Sequence, residues 1–146
     1  MTEASPDIVV YVCQNCIPPG ARLPRQWDQD GAHVVVRQAP CTGKIDGQYL
    51  FRGLESGLDG VCVVACPKGQ CHLTQGNYRA EMRIRTGRKL LAEIGMEPER
   101  LAMIHVASTD APESLEPAVR QAVAEIARTG PSPLRSAAAP ADTKAV

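Results

Sequence analysis

Apolar and polar positions along the chain fall into two alternating patterns. Asp7-Ile8-Val9-Val10-Tyr11-Val12 is a short β-branched run that ends at Cys13. His33-Val34-Val35-Val36-Arg37 is a second, leading to Pro40-Cys41. Val61-Cys62-Val63-Val64-Ala65 is a third, ending at Cys66, and Leu101-Ala102-Met103-Ile104-His105-Val106 is a fourth. Near-continuous apolar runs of this length suit strands buried on both faces, as in a parallel sheet.

Between these runs the apolar positions change to helical spacing. Asp46 can cap a helix carrying Tyr49, Leu50 and Leu54 and closed by Gly57. Asn77 can cap a longer one, with Ala80, Ile84, Gly87, Leu91 and Ile94 on one face and Gly95 at its end. Leu115, Ala118, Val119, Ala122, Val123 and Ile126 mark a last helix that stops at Gly130. Pro18, Pro19 and Pro24 leave room for no more than a short or broken helix between the first two strands. The alternation predicts an α/β domain: a small open parallel sheet of about four strands flanked by helices, Rossmann- or flavodoxin-like, with right-handed crossovers. Residues 1–6 read as a flexible N-terminus and 7–130 as the domain. The Pro- and Ala-rich stretch 131–146 reads as a disordered C-terminal tail.

Length agrees with one domain, since the chain has 146 residues. Charge removes several functions: 16 basic and 16 acidic side chains balance. Gripping nucleic acid or an anionic membrane needs a basic excess. The aromatic residues Tyr11, Trp27, Tyr49, Phe51 and Tyr78 are too few to form a base-stacking platform. No G-x-G-x-x-G follows a strand and no G-x-x-x-x-G-K-[ST] is present, so no nucleotide site is signalled. The start, Met1-Thr2-Glu3-Ala4-Ser5-Pro6-Asp7, has no apolar signal region, and no run approaches the ~20 apolar residues of a membrane helix. A cytoplasmic location, without membrane insertion, is the expectation.

The outlying feature is cysteine. Cys13, Cys16, Cys41, Cys62, Cys66 and Cys71 all lie in the first half. Reduced thiols in a chain with an aliphatic core argue against a disulfide framework and for metal or redox chemistry. Cys13 and Cys16 follow the first strand, Cys41 the second, and Cys66 and Cys71 the third. Five cysteines thus belong to carboxyl ends of strands, the edge where open parallel sheets bind ligands. Cys62 lies inside the third strand and reads as a small buried hydrophobe.

Thiolates at one edge suit an iron–sulfur cluster or tetrahedral zinc, each with four protein ligands. A dithiol oxidoreductase using Cys13 and Cys16 is a third option, which leaves Cys41, Cys66 and Cys71 without a task. Structural zinc is the less economical use, because the chain already has a core. His72 reads as a turn histidine that hydrogen-bonds a cluster sulfur or backbone; His33 and His105 read as structural. The run Arg79, Arg83, Arg85, Arg88, Lys89 is interleaved with Glu81 and Glu93. It reads as a solvated helix face, with partner docking as the alternative.

One set of motifs is more specific. Cys13-x-x-Cys16, Pro40-Cys41-Thr42-Gly43-Lys44, Asp59-Gly60-Val61, Cys66-x-x-Gly69-x-Cys71-His72 and Gly76-Asn77-Tyr78-x-Ala80 with Arg83 recur together. From about Ile8 to Ile126 this pattern resembles the delta subunit family of methyl-viologen-reducing hydrogenase. The resemblance implies a [2Fe–2S] electron carrier with four ligands among Cys13, Cys16, Cys41, Cys66 and Cys71. Backbone N–H groups near Gly43 and Gly69 would hydrogen-bond the sulfurs of such a cluster and tune its potential, with His72 beside them. The resemblance also implies two partners: a heterodisulfide reductase A-like FAD/iron–sulfur flavoprotein, and a hydrogenase, formate dehydrogenase or similar input module. Such a subunit carries electrons and has no catalytic residue of its own. Pro18-Pro19, Pro67 and the additional Cys62 depart from the family pattern.

Overall fold

A computed structural model describes residues 7–13, 23–39, 47–65, 76–105 and 112–134. Its strands are β1 (Ile8–Cys13), β2 (Gln26–Gln29), β3 (Ala32–Ala39), β4 (Gly60–Ala65) and β5 (Leu101–His105). Its helices are α1 (Gly47–Glu55), α2 (Gly76–Glu93) and α3 (Leu115–Ala127), with short 3-10 turns at Pro98–Arg100 and Pro112–Ser114. The sheet order is β2-β3-β1-β4-β5. β1 lies between β3 and β4, parallel to both, and β5 extends the parallel set beyond β4. The predicted α/β class and its four parallel strands are therefore present.

Side chains leave each parallel strand alternately to the two faces, as the pleat requires. Ile8, Val10 and Val12 of β1, with Cys62 and Val64 of β4, pack under α3 through Leu115, Val119, Ala122, Val123 and Ile126. Val9, Tyr11, Val61, Val63 and Leu101 pack on the other face, against Leu50 and Leu54 of α1 and Ile84 and Leu91 of α2. Helices on both faces explain why β1 and β4 are buried at every position.

The helix ends follow their glycines. After α1, Leu58 N–H donates to Gly53 O at 3.1 Å and Gly57 N–H to Leu54 O at 3.1 Å. After α2, Met96 donates to Leu91 O at 2.9 Å and Gly95 to Ala92 O at 3.2 Å. Both are Schellman closures, with Gly57 at φ 103° and Gly95 at φ 85°. The predicted cap Asp46 lies outside the described residues, and α2 begins at Gly76, which places Asn77 inside its first turn. Ile94, expected on the buried face, is 69 % exposed. It follows the last residue of α2, where the chain turns away from the core. Ala118 is likewise exposed, because the buried stripe of α3 is satisfied by its larger neighbours.

Two further departures are local. The described part of the first connection holds an unexpected strand; residues 14–22, where the short or broken helix was expected, lie outside the described residues. β2 pairs antiparallel with β3 through a two-residue turn, Asp30 at φ 50° and Gly31 at φ 81°. Two successive positive φ values make the type I′ hairpin that Asp-Gly favours. Trp27 of β2 lies under the Arg120 guanidinium at 5.0 Å, and Gln29 Nε2 donates to Arg120 O at 2.8 Å, which ties the hairpin to α3. Beyond residue 130, Ser132 is buried and Leu134 packs against the α1/α2 core. Residues 135–146 lie outside the described residues.

The amino-terminal end of the sheet is closed by a polar network. Arg100 is 1 % exposed and uses all five N–H donors. Nε donates to Glu97 Oε2 at 2.7 Å, Nη1 to Asp59 O at 2.9 Å and Gly130 O at 3.0 Å. Nη2 donates to Thr129 O at 3.2 Å and Pro131 O at 3.3 Å. Asp59 Oδ1 accepts Ser132 N–H at 2.8 Å, and Asp7 Oδ2 accepts His33 N–H at 2.8 Å. One buried guanidinium thereby satisfies the carbonyls that follow α3 and fixes α3 to the sheet.

Candidate functional site at the carboxyl edge of the sheet

Because β3, β1, β4 and β5 are parallel, their carboxyl ends share one edge. The chain runs from β1 to β3 on one side, then returns past β1 to β4 on the other. β1 is therefore the point where strand order reverses, and the crevice beside it is where such sheets bind ligands. Cys13 is the last residue of β1, level with Ala39, the last residue of β3. Ala65 ends β4 and is level with His105 at the end of β5. Cys66 follows Ala65 directly, and Cys41 follows Ala39 by two residues.

Cys13 is 2 % exposed and belongs to the cluster under α3, as does its neighbour Val12. In-and-out alternation thus ends at the last residue of the strand. Of the five edge cysteines, Cys13 falls within the described residues. Cys16, Cys41, Cys66 and Cys71 lie outside them, as do Gly43, Gly69 and His72. Among the described residues no three His, Cys, Asp or Glu side chains stand close enough to hold a metal ion.

Cys62 sits in a different environment. It is level with Val10 on one side and Ala102 on the other, and its exposure is 0 %. Burial, with Glu125 adding to it, pushes its thiol up to about 12. A thiolate is what attacks or coordinates, so this side chain is chemically quiet packing. That agrees with its reading from sequence.

The two described histidines engage carboxylates. His33 Nδ1 is 2.8 Å from Asp28 Oδ1, on the hairpin at the opposite end of β3 from Ala39. His105 stands on the cysteine-bearing edge, with Nε2 3.9 Å from Glu81 Oε2 of α2. Sequence reasoning missed Arg100, and it registered Asp59 within the Asp59-Gly60-Val61 motif without its part in the polar network that holds the scaffold. A charged residue beside an apolar run was the available signal, and it does not distinguish a clamp from a solvated side chain.

The family model described as Methyl-viologen-reducing hydrogenase, delta subunit, matches residues 8–130. The chain belongs to this family. The vhu iron-sulfur D subunit of the F420-non-reducing hydrogenase from Methanocaldococcus jannaschii is 36 % identical over 105 residues, covering 72 % of this chain and 78 % of that one. Its namesake in Methanococcus maripaludis is 33 % identical over 134 residues, covering 91 % and 99 %. The A subunit of the Ferredoxin:CoB-CoM heterodisulfide reductase from Methanosarcina mazei is 26 % identical over 127 residues. That alignment spans 86 % of this chain and 16 % of the longer one. The delta-subunit domain therefore has counterparts both as a chain of similar length and as a small part of a much larger polypeptide. No helix among the described residues is long and apolar enough to cross a membrane.

Proposed function

We propose that this chain is a cytoplasmic electron-transfer subunit holding one [2Fe–2S] cluster at the carboxyl edge of its sheet. It relays single electrons between an input module and a heterodisulfide reductase A-like FAD/iron–sulfur flavoprotein. The input module is a hydrogenase, a formate dehydrogenase or a similar enzyme. Catalysis belongs to the assembly. The chain itself contributes a scaffold and ligands.

The observation that carries this reading is the ending of three adjacent parallel strands. β1 finishes on Cys13, between β3 and β4, whose chains reach Cys41 and Cys66 within two residues. Adjacent strands lie about 4.8 Å apart and each residue adds at most about 3.6 Å. Covalent reach therefore supports a shared site for Cys13, Cys41 and Cys66, with Cys16 three residues beyond Cys13 and Cys71 five beyond Cys66 in sequence. An all-thiolate donor set fits iron–sulfur or zinc. Two complete apolar layers support the cluster over zinc, because this fold has no missing core for a structural metal to replace. The names of the family's relatives support it too.

Four of Cys13, Cys16, Cys41, Cys66 and Cys71 would be the ligands. When bound, the cluster supplies a one-electron acceptor whose potential depends on hydrogen bonds to its sulfurs and on solvent exposure. Backbone N–H groups near Gly43 and Gly69, and His72, are the groups assigned to that tuning. Cys13 is buried in the apolar cluster that includes Leu115 and Val119 of α3, which keeps water from its side chain.

The test is anoxic purification followed by a visible spectrum with iron, sulfide and zinc assays. The expected result is a coloured protein with iron and sulfide. Serine substitution at each of the five edge cysteines should bleach it in four cases and spare it in one. Cys62→Ser should keep the colour. A colourless protein with one zinc after reconstitution overturns the proposal in favour of an interaction module. A metal-free protein with a reactive, low-pKa thiol at Cys13 or Cys16 overturns it in favour of a dithiol oxidoreductase. Anoxic pull-down should recover a large flavin and iron–sulfur protein.

A further inference from the structure

The two edges of the sheet are finished differently. At one edge β2 has four residues, Gln-Trp-Asp-Gln, and is tied to α3 through Trp27 and Gln29. Such a short, polar, anchored strand blunts an edge against further pairing. At the other edge β5 pairs with β4 on one side, and among the described residues no strand lies beyond it. Residues Ala102–His105 are half-buried, whereas β4 is buried throughout.

Beside this open edge a groove of about 690 Å³ runs between α2 and β5. Ile84, Pro98 and Met103 give it an apolar floor. It extends from Pro98, before the first residue of β5, to His105, the last, and of β5 it is lined by Met103 and His105, which share one face of the strand. A five-residue strand is about 17 Å long, the length of an ordinary pairing partner.

The charges of the groove are unevenly satisfied. Glu81, at the His105 end, faces Arg85 at 3.6 Å and His105 at 3.9 Å. Glu99 lines the other end. Arg88 and Lys89, in the middle, are exposed, and among the described residues no carboxylate stands within ion-pair reach of either. The basic run seen in the sequence is thus divided, with Arg85, Arg88 and Lys89 lining the groove.

We propose that the α2/β5 groove docks an extended acidic segment of a partner protein. The segment adds a strand to the free edge of β5 and sets its carboxylates against Arg88 and Lys89. Backbone pairing supplies affinity in strand addition, and alternate side chains supply selectivity. Here the inward side chains of the added strand would meet Ile84 and Met103. The proposal deepens the relay reading, on which it rests for the partner being a redox protein. The His105 end of the groove opens at the cysteine-bearing edge, so a segment seated there holds its owner beside the electron site.

The test uses the full chain, purified without oxygen, and two end-blocked octapeptides. One alternates valine with glutamate and the other alternates valine with lysine. Calorimetry should show binding of the glutamate peptide, weakened by added salt, and none of the lysine peptide. Hydrogen exchange should show new protection within residues 101–105. The double substitution Arg88→Glu/Lys89→Glu, at exposed positions, should weaken binding about tenfold or more and leave the unfolding midpoint unchanged. No binding at millimolar peptide overturns the proposal, as do equal binding of both peptides and binding without protection of β5. Displacement by sulfate alone with the same protection pattern overturns it in favour of a small-anion site. A dimer abolished by the double substitution overturns it in favour of a second copy. The visible spectrum of the same sample keeps the two readings apart. Colourless protein that binds the peptide sinks the cluster and leaves the groove; coloured protein that does not bind sinks the groove and leaves the cluster.

Discussion

The two ends of the sheet make opposite use of their polar groups. At the amino end, Asp7, Asp59 and Arg100 spend their hydrogen bonds on the chain itself. Each joins segments far apart in sequence, so this end holds the layers together. At the carboxyl end the parallel strands finish on Cys13, Ala39, Ala65 and His105, and the first three of these lead into the cysteine-bearing segments. Thiols are weak hydrogen-bond partners and contribute little to closing a fold. The difference teaches that stability and chemistry are separable here: damage at the amino end should unfold the protein, and damage at the carboxyl end should disarm it.

Arg100→Leu is the severest way to test that division. It removes five hydrogen bonds and leaves the carbonyls of Asp59 and of Thr129 to Pro131 without their donor. Loss of one member of a buried charged network costs about 3–5 kcal/mol. Urea denaturation should show that loss, and whatever protein remains folded should keep its visible spectrum. A stable, bleached Arg100→Leu protein would break the comparison.

Gly60→Ala probes the same end by packing. A Cβ at Gly60 would meet Ile126 of α3 and stand 2.8 Å from Arg100 O. Relief would require α3 to lift Ile126 from the sheet and the backbone before β5 to shift at Arg100, at a cost of about 1–3 kcal/mol. The unfolding midpoint should fall, again with unchanged cluster content per folded molecule.

Much of this division was legible in the sequence, for physical reasons that differ by element. Strands buried on both faces write themselves as unbroken runs, which is why β1, β3, β4 and β5 could be read directly. Their parallel pairing then set Cys13, and the strand ends that precede Cys41 and Cys66 in sequence, at one edge. β2 was illegible by the same rule: among Gln26, Trp27, Asp28 and Gln29, Trp27 alone is apolar. Its real signal was the Asp30-Gly31 turn, which needs no apolar alternation to form. Arg100 was illegible for another reason. Its five acceptors come from a neighbouring side chain and from carbonyls 29 to 41 residues away in sequence, and no local pattern records such convergence.

Within the described cysteines the comparison sharpens to Cys13 against Cys62. Burial holds the Cys62 thiol up at about 12, against 9.0 for an ordinary thiol, so in the folded protein it stays protonated through mildly alkaline pH. It should resist iodoacetamide at pH ~8 until the chain is unfolded, read by mass spectrometry. The unfolded thiol ionises first as pH rises. The stabilising effect of the buried thiol is therefore complete below about 9 and is lost between about 9 and 12. Cys62→Ala should flatten that alkaline fall in the unfolding midpoint. Rapid alkylation of Cys62 in the native protein would contradict its assignment to the core.

Glu97 gives the smallest and most selective perturbation of the amino end. Its own backbone N–H, and then the Arg100 guanidinium, hold its carboxyl below the usual carboxylate range. A carboxyl with a lowered folded pKa adds stability above its unfolded value, which is lost as pH falls through the folded value. Because Glu97 is about half exposed, solvent screens the pair and the effect is slight. Glu97→Gln should leave stability at neutral pH nearly unchanged and reduce its decline from about pH 5 downward. The four carbonyl acceptors of Arg100 do not titrate, so the clamp should survive this substitution. If Glu97→Gln were instead as damaging as Arg100→Leu, charge pairing with one carboxylate, and not the convergence of backbone carbonyls, would be what closes the amino end.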